Sequence, residues 1–339
     1  MINDVAKILK RLNIITCVII LILSYVFVFT RLLRQEGIKD VVSFFENFNV
    51  FEKIPYLLVL VVLMFVNWSI EANKWRYALW NEYKLSFSKA IQSTFLGVCV
   101  SFIFPNRVGD FLGRGFALPQ GYALKGAAAT VLGNISQLIV TVIMGIVGGG
   151  YMLLFHYYQA MNPIVLILGL LLIGLMLILF LYLYFNVAKI YNLCKKIGWL
   201  QQTNWVEKLC FFQNYTPMEL LNILLFSLGR YIVFVVQMFL AFCCFDVSMP
   251  VLPFVMMTCV YFFLTSLIPT WVLSELGVRA SVALLLYVNS SVILSASGVN
   301  EVSIVAATTF LWMLNVVVPA LIGSCFVFSL RVFRTKSIK

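Results

Sequence analysis

Six long apolar runs alternate with short charged segments: 14–29, 54–68, 127–155, 164–185, 219–242 and 302–330. At 1.5 Å per residue each reaches, or nearly reaches, the thickness of about 30 Å that a membrane helix must cross. Two further apolar runs, 90–104 and 251–268, stop at Pro105 and Pro269. About 15 residues before Pro105 give roughly 22 Å of helix, too short to cross. The arm after Pro105 carries Gly113, Arg114, Gly115, Pro119, Gln120 and Gly121. That composition makes a poor spanning helix. The pattern therefore predicts an all-α polytopic membrane protein with about six full spans and two proline-broken re-entrant hairpins.

Composition agrees. Of 339 residues, 63% are hydrophobic and 11% charged, and the mean hydropathy is +1.01. Soluble domains carry about 25% charged residues. The net charge of +11 fits the basic bias of cytoplasmic loops and does not point to nucleic acid. The eight cysteines show no metal-ligand spacing, and the single histidine, His156, has no companions. No metal or cofactor is expected.

The first apolar run follows Lys7, Lys10 and Arg11 and lacks a small-residue cleavage site, so it reads as a retained span. With the N-terminus inside and each hairpin returning to its own side, sixteen of the 24 Lys and Arg fall in cytoplasmic segments. Lys74 is among them. Four fall outside, and Arg107, Arg114, Arg230 and Arg279 lie at membrane depth. This bias places both termini in the cytoplasm, in an inner (plasma) membrane.

The two proline segments resemble one another. One reads Pro105-Asn-Arg-Val-Gly-Asp110-Phe-Leu-Gly113-Arg114, the other Pro269-Thr-Trp-Val-Leu-Ser-Glu275-Leu-Gly277-Val-Arg279. In each, an acid precedes an arginine by four. Their flanking spans have the same order and opposite direction. The whole chain, 1–339, thus reads as one transmembrane domain containing an inverted repeat, with halves of about 54–155 and 219–330. Spans 14–29 and 164–185 fall outside the repeat.

Charges inside a bilayer are expensive and mark function by default. Arg107, Arg114, Arg230 and Arg279 face only two acids, Asp110 and Glu275, which leaves an excess of two positive charges. An arginine fork suits phosphate or carboxylate. These six residues are the expected substrate-binding set. Pro105, Gly109, Gly113, Pro269 and Gly277 are the expected hairpin backbone. A structural alternative is that Asp110–Arg114 and Glu275–Arg279 only neutralise one another across a helix turn. Arg107 and Arg230 then remain to be explained. Asn67, Asn106, Asn134, Gln137, Ser101, Thr265 and Asn315 are candidate cavity polar groups. Gly148–Gly150 reads as a helix end, and Trp68, Trp75, Trp80 and Trp199 as interfacial belts. No HExxH, GxSxG, P-loop or acidic metal cluster is present, so a transporter is expected rather than an enzyme.

At these motifs the chain resembles the lysylphosphatidylglycerol synthase transmembrane, or flippase-like, family. Pro105, Arg107, Gly109, Asp110 and Arg114 match its first motif, and Pro269, Gly277, Val278 and Arg279 its second. Asp110 stands where the family carries glutamate, and Ala280 where the second motif carries an acid. Some members bear a soluble aminoacyl-transfer domain, whereas this chain ends at Lys339 soon after its last apolar run. The resemblance implies a stand-alone member that binds or translocates an anionic phospholipid through a midplane cavity. The alternative is a membrane-embedded transferase, or an accessory subunit working with a separate biosynthetic enzyme.

Overall fold

The computed structural model describes residues 48–102, 108–119, 121–155, 163–195, 210–270, 272–288 and 300–326, with Ile22, Val26, Thr30 and Glu46. All regular structure among them is helical, and five helical stretches are long and apolar enough to cross a membrane. The predicted span 14–29 lies outside the described residues except for Ile22 and Val26.

The first described span, α1 (Val50–Ala78), starts at Asn49, whose side chain accepts the Phe51 N–H at 3.2 Å. It runs ten residues past the predicted end at Trp68. Burial explains the extension. Glu71 and Lys74 are satisfied inside the protein, so the chain has no need to leave the helix for water. Trp68 and Trp75 are buried with them, which corrects their assignment to an interfacial belt. The Trp75 Nε1–H donates to the Gly126 carbonyl at 3.0 Å.

Two short helices follow, α2 (Phe87–Ser101) and α3 (Val108–Phe116), about 22 and 14 Å long. They pack against one another as a hairpin. Glycine permits the approach: a Cβ on Gly113 would lie 2.8 Å from the Gly97 Cα, and one on Gly109 2.4 Å from the Val100 carbonyl oxygen. This Gly109–Gly113 spacing is the small-residue pattern of close membrane helix pairs.

Spans α4 (Ala123–Phe155) and α5 (Pro163–Phe185) come next. The run Gly148–Gly150 lies inside α4, not at its end. Gly148 admits the backbone of the second hairpin, since a Cβ there would sit 2.4 Å from the Met256 carbonyl oxygen. A short α6 (Val187–Lys195) and a 3-10 turn (Cys210–Asn214) lead to span α7 (Pro217–Cys244). A capping box between Thr216 and Glu219, with Pro217 in the first turn, fixes its start.

The second hairpin is α8 (Val251–Leu267) and α9 (Val272–Ala283), the latter continuing through a π-turn at Leu284–Val288. The last span is α10 (Glu301–Trp312), a π-turn (Met313–Val317) and α11 (Val318–Ser324). Pro319 accounts for that turn. It offers no N–H to the carbonyl four residues back, and its ring crowds the preceding turn, so the helix widens there.

α1 and α7 pack along each other at the centre. Each outer span packs on the first hairpin arm of the other triplet, α4 on α8 and α11 on α2. The second arms return to their own triplet, α3 to α4 and α9 to α10. Interhelical hydrogen bonds reinforce the centre, Ser136 to Ser227 at 2.9 Å and Gln237 Nε2 to the Leu60 carbonyl at 3.3 Å.

Candidate functional site

Asn67, Glu71 and Lys74 recur at helical spacing along one face of α1, which is turned into the bundle. Glu71 is the hub. Its Oε1 accepts from Arg114 Nη1 at 3.0 Å, and its Oε2 from Arg230 Nη1 at 2.8 Å. Lys74 Nζ lies 2.7 Å from the same Oε2 and donates to the Gly133 carbonyl at 3.2 Å. The Glu71 and Arg114 side chains are each 2% exposed and Lys74 1%.

Arg114 is held twice more. Its Nε and Nη2 donate to the two carboxylate oxygens of Asp110 at 2.8 and 3.0 Å, a bidentate fork across one turn of α3. Its guanidinium also lies over the Trp75 ring at 5.9 Å. Arg230, at the middle of α7, donates from Nε to Asn67 Oδ1 at 2.7 Å. Its guanidinium carbon is 5.1 Å from the Trp68 ring centroid and 5.2 Å from that of Phe234.

This changes the charge account. Arg230 is not without an acidic partner inside the protein, because α1 supplies Glu71. Nor is Lys74 a loop residue. Among the described residues the pairs around Glu71 and in the second hairpin hold four cations, Lys74, Arg114, Arg230 and Arg279, against three carboxylates, Glu71, Asp110 and Glu275. That is one positive charge in excess; the sequence count of two included Arg107, and Glu71 and Lys74 offset one another. Arg107 and Pro105 lie outside the described residues. Asn106 does too.

The second hairpin holds a simpler pair. Arg279 Nε and Nη2 both donate to Glu275 Oε1, at 3.0 and 2.8 Å, and the Arg279 side chain is 26% exposed. Gly277 is buried between them in sequence. A cavity of about 500 Å³ opens beside this pair, within the range of ligand pockets. Glu275, Arg279 and Pro269 line it, as does Arg230, whose side chain is 12% exposed. Its other walls mix aromatic and apolar side chains with amide and hydroxyl groups, among them Gln137, Thr265 and Asn315.

Of the remaining polar candidates, Ser101 donates to the Val98 carbonyl at 2.6 Å and Asn134 is exposed. The five charged candidates among the described residues fall into two groups joined by Arg230. Asp110 and Arg114 lie in the buried network, Glu275 and Arg279 on the cavity, and Arg230 belongs to both. The sequence reading missed Glu71 and Lys74. Their spacing from Asn67, by four and then three residues, is the signal that would have marked them as one helix face.

Spans, paired short hairpins and interior ion pairs define a polytopic helical membrane protein built around a polar interior. More narrowly, the chain belongs to the family described as the lysylphosphatidylglycerol synthase TM region, which matches residues 13–323. No curated protein and no solved structure matches it. The family associates the chain with lipid biosynthesis or translocation in a membrane.

Proposed function

We propose that the protein binds the anionic head group of a membrane phospholipid in the cavity beside α9 and carries it across the bilayer. The observation that carries this reading is the pairing of Arg230 and Arg279, from two different elements, in one cavity of about 500 Å³. Two guanidinium groups bring positive charge and N–H donors that suit the oxygens of a phosphate. Glu275 offsets part of their charge, so the site tolerates vacancy. The apolar and aromatic remainder of the wall suits the glycerol and upper acyl region of a lipid.

The crosswise packing of the two triplets supports an inverted repeat, with halves of about 54–155 and 219–330 rocking about the α1–α7 contact. The distribution of basic residues supports an orientation with both termini cytoplasmic, and location in the plasma membrane is part of the same proposal. A separate biosynthetic enzyme would supply the lipid.

The test is translocation of a fluorescent phosphatidylglycerol in phosphatidylcholine liposomes, read as loss of protection from an external quencher. Wild-type protein is expected to move the probe faster than empty liposomes, and Arg279→Ala to abolish most of that rate. Equal rates in all three refute the reading.

A further inference from the structure

The two hairpins carry similar ion pairs but place them differently. Arg279 and Glu275 line the cavity. Arg114 and Asp110 do not, and their bonds run the other way, into the protein. Asp110 takes two donors of the Arg114 guanidinium, leaving Nη1 to bond Glu71 Oε1. The other oxygen of Glu71 holds Arg230. The chain of contacts Asp110–Arg114–Glu71–Arg230 therefore starts in the first hairpin, crosses α1 and ends at a side chain that lines the cavity beside the second hairpin. Every link is charged at both ends, and its middle members are almost completely withdrawn from solvent.

We infer that Asp110 and Arg114 are positioning residues: through Glu71 they fix the Arg230 guanidinium in the orientation it presents to the anion. The inference rests on the anion-site reading above and assigns the first hairpin a role within it. Arg230 is restrained by other groups as well. Asn67 takes its Nε, and the Trp68 and Phe234 rings lie on it. Among the described contacts, Glu71 is the residue that ties Arg230 to the first hairpin. Its carboxylate is itself held on three sides, by Arg114, Lys74 and Arg230. Release of Arg114 lets that carboxylate turn, and Arg230 turns with it. A fork bonds phosphate well only when its N–H vectors are aimed, so a small rotation weakens binding without removing any residue from the cavity wall.

The same geometry explains why similar motifs serve two ends. In α9 the acid and arginine pair with each other on the cavity wall, with Tyr261 of α8 beside the arginine. In α3 the arginine has a third partner on another span, which converts a local pair into a link between elements.

Two mechanisms can be separated by a double-mutant cycle. The probe is dioctanoylphosphatidylglycerol, and the readout is quenching of tryptophan fluorescence in detergent-solubilised full-length protein, since Trp68 and Trp312 line the cavity. Asp110→Asn is the principal variant because it keeps the shape of the side chain. Arg114→Lys is the second, retaining charge but not the fork. Expected are about a 5-fold loss of affinity for Asp110→Asn and about 30-fold for Arg230→Met, with less than about a 2-fold further loss when the two are combined. Arg114→Lys is expected to behave as Asp110→Asn does. A merely structural role would lower the folded fraction equally in both backgrounds and leave the affinity of the folded protein unchanged. Additive losses, or an unchanged affinity in both first-hairpin variants, overturn the inference while leaving the anion site standing. Absence of any binding by the wild-type protein overturns the site and the inference together.

Discussion

Arg230 reaches across from the middle of α7 to place Nη1 2.8 Å from Glu71 Oε2, so the two central spans are joined by a charge pair as well as by packing. Removing one partner from a buried pair leaves the others uncompensated and costs about 3–5 kcal/mol. Glu71→Gln, which removes the carboxylate shared by Lys74, Arg114 and Arg230, is therefore expected to lower stability by that order. The Lys53–Asp246 pair at the other end of α1 provides the contrast. Its carboxylate is 70% exposed although Lys53 is only 11% exposed, and Asp246→Asn is expected to cost less than Glu71→Gln because water reaches the pair from the Asp246 side. Thermal unfolding of both variants in nanodiscs checks the ratio, and comparable losses would contradict the network.

The first hairpin depends on its glycines. Gly113→Leu drives a side chain into the space where Gly97 now lies, with the new Cβ 2.8 Å from the Gly97 Cα. Overpacking of this kind typically costs about 1–3 kcal/mol. The expected outcome is separation of α2 from α3, measured as increased hydrogen exchange in 97–101 and 109–116. Gly149→Ala serves as the control, because nothing lies within 4 Å of a Cβ at that position, and it should leave exchange unchanged.

Much of the architecture is legible in the chain because lipid enforces a simple rule: backbone polar groups must be satisfied within the segment, so long apolar runs become helices. The runs at 164–185 and 219–242 differ from α5 and α7 by at most two residues at either end. The hairpins were legible for a second reason, since proline stops a helix short of a crossing. The misplaced features share a different cause. Glu71 and Lys74 look like loop residues by hydropathy, because hydropathy assumes that charge seeks water. Here charge seeks charge on a neighbouring helix, and only the spacing from Asn67 carries that information. Gly148 likewise reads as a breaker, yet it serves a tertiary contact with α8. Which span pairs with which hairpin is not written in either segment alone.

Tyr215 supplies a prediction outside the spans. Its hydroxyl donates to the Ala78 carbonyl at the end of α1. Burial, with the carboxylates of Glu219 and Glu82 adding to it, raises this phenol well above its ordinary value. A group whose folded value is raised contributes stability that is complete below the unfolded value, near pH 10, and is lost as pH climbs above it. Wild-type stability should therefore fall above about pH 10. Tyr215→Phe is expected to lose about 1 kcal/mol at pH 7 through the missing hydrogen bond and to show a shallower alkaline decline. Denaturation midpoints from pH 7 to 11 provide the check, and parallel curves would refute the assignment.

The central claim is that the cavity beside α9 holds an anionic head group through Arg230 and Arg279. Native mass spectrometry of protein extracted from membranes of equal phosphatidylglycerol and phosphatidylcholine content tests it most directly. The account predicts retained phosphatidylglycerol in marked excess on the wild-type protein, and loss of that preference in Arg279→Met. Equal retention of the two lipids by the wild type, or an undiminished preference in the variant, would contradict it.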